Sequence, residues 1–130
     1  MTFQITATYA AVLALMMLGL SYYVTMLRAS ADVSLNDGGN IALQERMRRH
    51  GNFVETVPIA IIVLAFAEAG GMGATYVHAS GALLIAARII HPFGINHEKG
   101  ATFARIAGGA GTSIAILIPV ASLIFGPFGG

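Results

Sequence analysis

Cysteine and tryptophan are missing from these 130 residues, and charge is scarce: lysine, arginine, aspartate and glutamate together make up 10%, against roughly 25% in a soluble domain. Without thiols, disulfides, thiolate metal sites and a protein-borne sulfur nucleophile are excluded, so any sulfur chemistry has to arrive with a ligand. So little charge argues against a water-soluble fold. A formal net charge of +1 supplies no phosphate-tracking stripe, which sets nucleic-acid binding aside. No H-x-x-x-H or H-E-x-x-H spacing occurs, and His91 and His97 are separated by a proline, so no metal is expected.

What is present is apolar. Hydrophobic residues make up 56% of the chain and the mean hydropathy is +0.76, so lipid is the natural solvent for most of its surface. Thr2 to Leu27 carries no Asp, Glu, Lys, Arg or His, long enough to cross a ~30 Å hydrocarbon core as a helix. Its one nearby cation, Arg28, follows the apolar run, the reverse of a cleaved signal peptide. A second helix is expected from Ile41, after the turn-rich Asn36-Asp37-Gly38-Gly39-Asn40 with Asn40 as N-cap, to Ala69. At ~1.5 Å per residue it spans about 43 Å, so its first turns must protrude beyond the membrane core. A third helix stops before His91-Pro92 because proline disfavours helix at the residue ahead of it. The run Phe103 to Phe125 completes an all-α, integral-membrane four-helix bundle of up-down topology, with helices at about 4–27, 41–69, 75–90 and 103–125 in a single domain.

All seven Lys and Arg residues flank the first or the third loop. Short loops rich in these residues stay cytoplasmic, which predicts an N-out, C-out protein with loops 28–50 and 91–102 on the cytoplasmic side of the membrane.

Ionisable groups at membrane depth are costly enough to have a partner or a function. On the second helix Arg48, Asn52 and Glu55 are four and three apart and share one face. Arg88 and His91 lie at the cytoplasmic end of the third helix, and Arg105 at the start of the fourth. This pattern predicts one cytoplasmic-side pocket richer in guanidinium than in carboxylate. Such a pocket suits an anion held by forked contacts, and Glu55 extends the fit to a zwitterion with additional carboxylates, such as glutathione. The alternative is structural: Glu55 and Arg88 neutralise each other and Asn52 is an interhelical hydrogen-bond partner. Glu45 and Arg49 read as an i,i+4 surface pair, Glu68 as an outer interfacial residue, and Gly108, Gly111, Thr112 and Ala115 as part of a small-residue packing face on the fourth helix.

The string Glu45-Arg46-Met47-Arg48-Arg49-His50-Gly51-Asn52-Phe53-Val54-Glu55-Thr56-Val57-Pro58 resembles the second-helix signature of the MAPEG family, the membrane-associated proteins of eicosanoid and glutathione metabolism. Gly81 through Arg88 and His91 to Gly94 resembles the family's third-helix segment, and the likeness is greatest to its small bacterial branch, which implies a bacterial inner membrane. The resemblance implies a homotrimer binding glutathione between subunits, with Arg28, Arg48, Asn52, Glu55 and Arg88 as ligand contacts. It further implies Arg105 and His91 as catalytic residues, with a nearby guanidinium lowering the pKa of the glutathione thiol for attack on a hydrophobic electrophile. His91, Ile95 and Thr56 stand where several relatives have tyrosine, which turns the expectation away from eicosanoid synthesis. Two functions follow: a glutathione transferase or peroxidase using glutathione as co-substrate, or a non-enzymatic membrane protein whose polar cluster is an ion-pair network or holds another anion or a lipid headgroup.

The charge distribution makes the topology testable. Reporter fusions at Gly38 and Gly130 are expected to report opposite compartments, and identical readings from both would refute the orientation.

Overall fold

The computed structural model describes residues 2–129, and among them every regular element is helical. Helices α1 (Gln4–Ala31), α2 (Ile41–Ala69), α3 (Ala74–Ile90) and α4 (Phe103–Phe125) are joined by short connections, with a 3-10 turn over His91–Gly94 after α3. α1 packs mainly on α2 and α3 on α4, while α2 with α4 and α1 with α3 close the ring. Contacts at the ends set the directions. The start of α1 meets the end of α2 through Glu68, and the start of α3 meets residues beyond α4 through Gly73 and Phe128. The chain therefore runs up, down, up, down.

α1 continues four residues past 27, the end expected from sequence. Arg28 in its last turn favours the negative helix end rather than stopping it. The stop comes at Asp32, in the left-handed region with φ 54°, while the Val33 N–H closes back on the Arg28 carbonyl. Asn40 caps α2 as expected, its side chain accepting from the Leu43 N–H. α1, α2 and α4 are long and apolar enough to cross a membrane. α3, with 17 residues, reaches about 26 Å, and the following 3-10 turn extends that path.

Lipid-like solvent shows in what is left uncovered. Leu15, Tyr22, Phe66, Leu117 and Phe125 are all at least 60% exposed, a surface that water would penalise and acyl chains would not. The buried contacts between helices are small or tightly fitted. Leu13, Phe53, Val57, Ala60, Leu84 and Ala115 form one cluster, and Leu64, Ala67, Met72 and Val77 a second towards the other end. The small-residue face of α4 is spent within the protomer: a Cβ on Gly108 would fall 2.5 Å from the Cβ of His91, and one on Gly111 3.1 Å from the Cβ of Ala87.

Glu68 does more than sit at an interface. α1 has no side-chain cap of its own, and its free N–H groups point at this carboxylate on α2. The Ile5 N–H donates to Oε1 at 3.0 Å, the Thr6 N–H to Oε2 at 2.8 Å and the Thr6 hydroxyl to Oε2 at 2.6 Å. An acid at the positive end of a helix gains from both hydrogen bonds and the helix dipole. Glu68→Ala is expected to lower unfolding stability in detergent by about 1–2 kcal/mol, with Glu68→Gln losing less because it keeps one acceptor. Chemical denaturation of the three proteins in the same detergent measures this, and equal stability of Glu68→Ala and the parent would exclude the cap.

Candidate functional site

The helical spacing places Arg48, Asn52 and Glu55 on one side of α2, and one residue between them shapes the group. Gly51 has no side chain, so Arg48 lies back along the helix and its Nη1 reaches Glu55 Oε1 at 3.3 Å. A Cβ on Gly51 would stand 3.1 Å from that Nη1. The pair is open: the Arg48 and Glu55 side chains are 57% and 59% exposed.

Beside this pair lies a cavity of about 250 Å3, with Arg48 and Asn52 from α2, His91 from the 3-10 turn and Arg105 from α4 in its wall. The α3–α4 loop forms the remaining side through Ile95, Asn96 and His97. His91 is buried, and its Nδ1 has no hydrogen-bond partner within the protein. It is pressed against Gly108, the close approach that brings α4 and Arg105 to the cavity. Two guanidiniums, three amides (Gln44, Asn52 and Asn96) and two imidazoles thus line a space bordered by one carboxylate, Glu45. The balance favours an anionic guest with a cationic group of its own.

The remaining expected residues lie elsewhere. Arg88 is 2% exposed and stands behind the cavity: its Nη2 donates to Asn52 Oδ1 at 2.7 Å, and its Cζ lies 5.5 Å from the centre of the Phe53 ring. Its partner is the amide, while Glu55 pairs with Arg48, so the Glu55–Arg88 neutralisation considered from sequence does not form. Arg28 turns away and orders the first loop, donating from Nη1 to the Asn36 carbonyl at 2.6 Å.

Spacing did not expose the clasp on the α3–α4 loop. Arg49 donates from Nε and Nη2 to the Ile95 carbonyl at 3.2 and 2.9 Å. Glu45 Oε1 accepts from the His97 backbone N–H at 2.9 Å and from its ring Nδ1 at 2.8 Å. The i,i+4 relation of Glu45 and Arg49 was visible, but what they hold lies some fifty residues on. No group of three or more His, Asp and Glu residues is placed to hold a metal among the described residues.

The chain matches the family profile described as MAPEG family over residues 6–125. This protein belongs to the MAPEG family. It is also similar to two curated relatives from Escherichia coli, from strain K12 and strain O6:H1, each called inner membrane protein YecN. Each is 39% identical over 95 residues, covering 73% of this chain and 72% of the relative. No solved structure matches it. Family membership joins the helical architecture in marking this MAPEG protein as a membrane-embedded bundle, and its second-helix signature, Glu45 to Pro58, lies within the matched region.

Glu45 lies on the part of α2 that protrudes beyond the membrane core. The His97 ring hydrogen bond, then the His97 N–H and the Arg49 charge, hold its carboxyl below the ordinary value of 4.5. A depressed carboxyl stabilises the folded clasp above its unfolded pKa and loses that contribution as pH falls through the folded one. Amide hydrogen exchange at His97 is therefore expected to accelerate relative to the helix cores as pH falls below 4.5, after correction for intrinsic rates. Glu45→Gln should exchange fast throughout, and a pH-independent protection in the parent would exclude the clasp.

Proposed function

We propose that this MAPEG protein binds glutathione at the cytoplasmic side of a bacterial inner membrane and joins its sulfur to hydrophobic electrophiles dissolved in the bilayer, or, as a peroxidase, reduces lipid-soluble hydroperoxides to alcohol and water while two glutathiones are oxidised to the disulfide. The observation that carries the reading is the convergence of Arg48, Asn52, His91 and Arg105 on one cavity, with Glu55 tied to Arg48 at its rim. Family membership and the inner-membrane relatives support it.

The residues present fit the tripeptide. Arg48 and the Asn52 amide donate to a carboxylate, and Glu55 receives an ammonium once Arg48 turns to the guest. His91 offers a buried ring nitrogen with no internal partner, an incomplete group of the kind a polar ligand completes. Arg105 supplies positive charge beside the sulfur, which favours thiolate over thiol at neutral pH. In a transfer step the thiolate forms a carbon–sulfur bond while the electrophile's leaving group departs with the bonding pair. The hydrophobic partner has an apolar recess at hand: about 180 Å3 between α1 and α2 around Met17, Phe53 and Pro58, open to the lipid face.

The exposed Arg48–Glu55 pair also supports a homotrimer. An ion pair more than half uncovered on a lipid-facing bundle is expensive unless protein covers it, and a neighbouring protomer would cover it and close the site between subunits.

The non-enzymatic reading has its own support, because Arg28, Arg49 and Arg88 are all engaged with the protein itself. A thermal-shift titration separates the two. At a hundredfold excess of glutathione over Kd the parent is expected to gain about 2.7 kcal/mol, and Arg48→Ala to lose most of that gain. No shift at millimolar glutathione, together with no conjugation of a chlorinated nitroaromatic, would reject the glutathione reading. A loss of stability in Arg48→Ala with no ligand effect in either protein would favour the structural one.

A further inference from the structure

Arg88 is a buried guanidinium in the last turn of α3, inside a membrane bundle, and among the described residues no carboxylate forms an ion pair with it. It does not line the cavity, yet its Nη2 reaches across from α3 to Asn52 on the opposite side of the bundle. A guanidinium has donors and no acceptor. The Asn52 oxygen must therefore face Arg88, and the Asn52 amino group must face the other way.

We propose that Arg88 is a positioning residue that sets the polarity of the cavity wall. By holding Oδ1 of Asn52 inside the bundle, it leaves the Asn52 NH2 as a fixed donor to the guest and selects an acceptor there, a carboxylate rather than an amine. This rests on the glutathione reading for the identity of the guest, but not for the orientation of Asn52. The geometry restricts the amide from both sides. Phe53, the next residue on α2, packs its ring against the Arg88 guanidinium at 5.5 Å, so the arginine is held by stacking as well as by its hydrogen bond. Reversing the amide would bring its NH2 against a buried cation and leave that cation without its acceptor, a double loss at a guanidinium that is 2% exposed. A free asparagine side chain on the wall would serve donor and acceptor guests alike. With Arg88 behind it, Asn52 adds to Arg48 instead of opposing it, and the recognition of an ammonium falls to Glu55.

Two measurements on the detergent-solubilised protein test this. The first needs no ligand: nuclear Overhauser contacts from the Asn52 side-chain amide protons are expected to run to the cavity wall in the parent and in Arg88→Lys, which can still only donate. In Arg88→Gln, which can donate or accept, they should spread to both sides. The second compares the calorimetric Kd of glutathione with that of its diethyl ester. Arg88→Gln is expected to weaken glutathione by about tenfold, as for a lost hydrogen bond to a charged group, with the ester unchanged, while Arg88→Lys keeps the parent's preference for the free acid. Unchanged amide contacts or an unchanged acid-to-ester ratio in Arg88→Gln overturns the proposal, as does loss of the preference in Arg88→Lys with its Asn52 contact intact. If the parent binds no glutathione, the functional reading falls and the amide contacts alone decide this one. If Arg88→Gln does not fold, Arg88→Lys decides it by the same two readouts.

Discussion

The hydrogen bond from Arg88 to Asn52 is the tie on which the cavity end of the bundle depends. It crosses between α2 and α3, which meet only along the diagonal of the four-helix ring. A buried guanidinium is costly in any fold and more so at membrane depth, so its position constrains its neighbours. Phe53 must stack near it, Asn52 must turn its oxygen inward, and the face of α2 carrying Arg48 and Glu55 is left pointing outward.

The same logic runs through the rest of the molecule. In lipid, helices gain little by hiding apolar surface from one another, so association relies on close packing and polar ties. Gly108 and Gly111 provide the first by letting α4 approach His91 and Ala87. The second appears wherever two elements must stay in register. Glu68 caps α1 from α2, and Ser80 on α3 donates to the Ala115 carbonyl on α4. Arg46 on α2 covers the Tyr23 ring on α1 at 3.6 Å and donates to its carbonyl, and Arg49 with Glu45 holds the last loop. Much of the scarce charge in this chain is thus structural, including Arg105 at the cavity wall, which donates to the Gly100 carbonyl at 2.9 Å.

Local patterns revealed what they control. Apolar run lengths, Asn40 and the His91-Pro92 pair located the helices to within a turn, because span length, capping and proline sterics act over a few neighbouring residues. The i, i+4, i+7 series of Arg48, Asn52 and Glu55 was legible for the same reason. Arg28 and Arg88 were harder: both sit at the right depth for a shared pocket, but depth does not say which way a long side chain turns. Glu68 looked interfacial because the helix end that it caps is more than sixty residues away in sequence. His97, in the α3–α4 loop, carried no signal for a parallel reason, since its partner Glu45 is on α2, 52 residues away.

By itself the sequence determined that this protein is a lipid-embedded all-helical bundle, how many helices it has, and which polar residues share a face of α2. Hydropathy and helical periodicity are properties of the chain that no tertiary arrangement can change. Only the tertiary structure decided which arginines line the cavity and which brace it, because that choice depends on the nearest acceptor in space. For Arg88 it is the oxygen of Asn52, 36 residues away, and for Arg28 it is a carbonyl of its own loop.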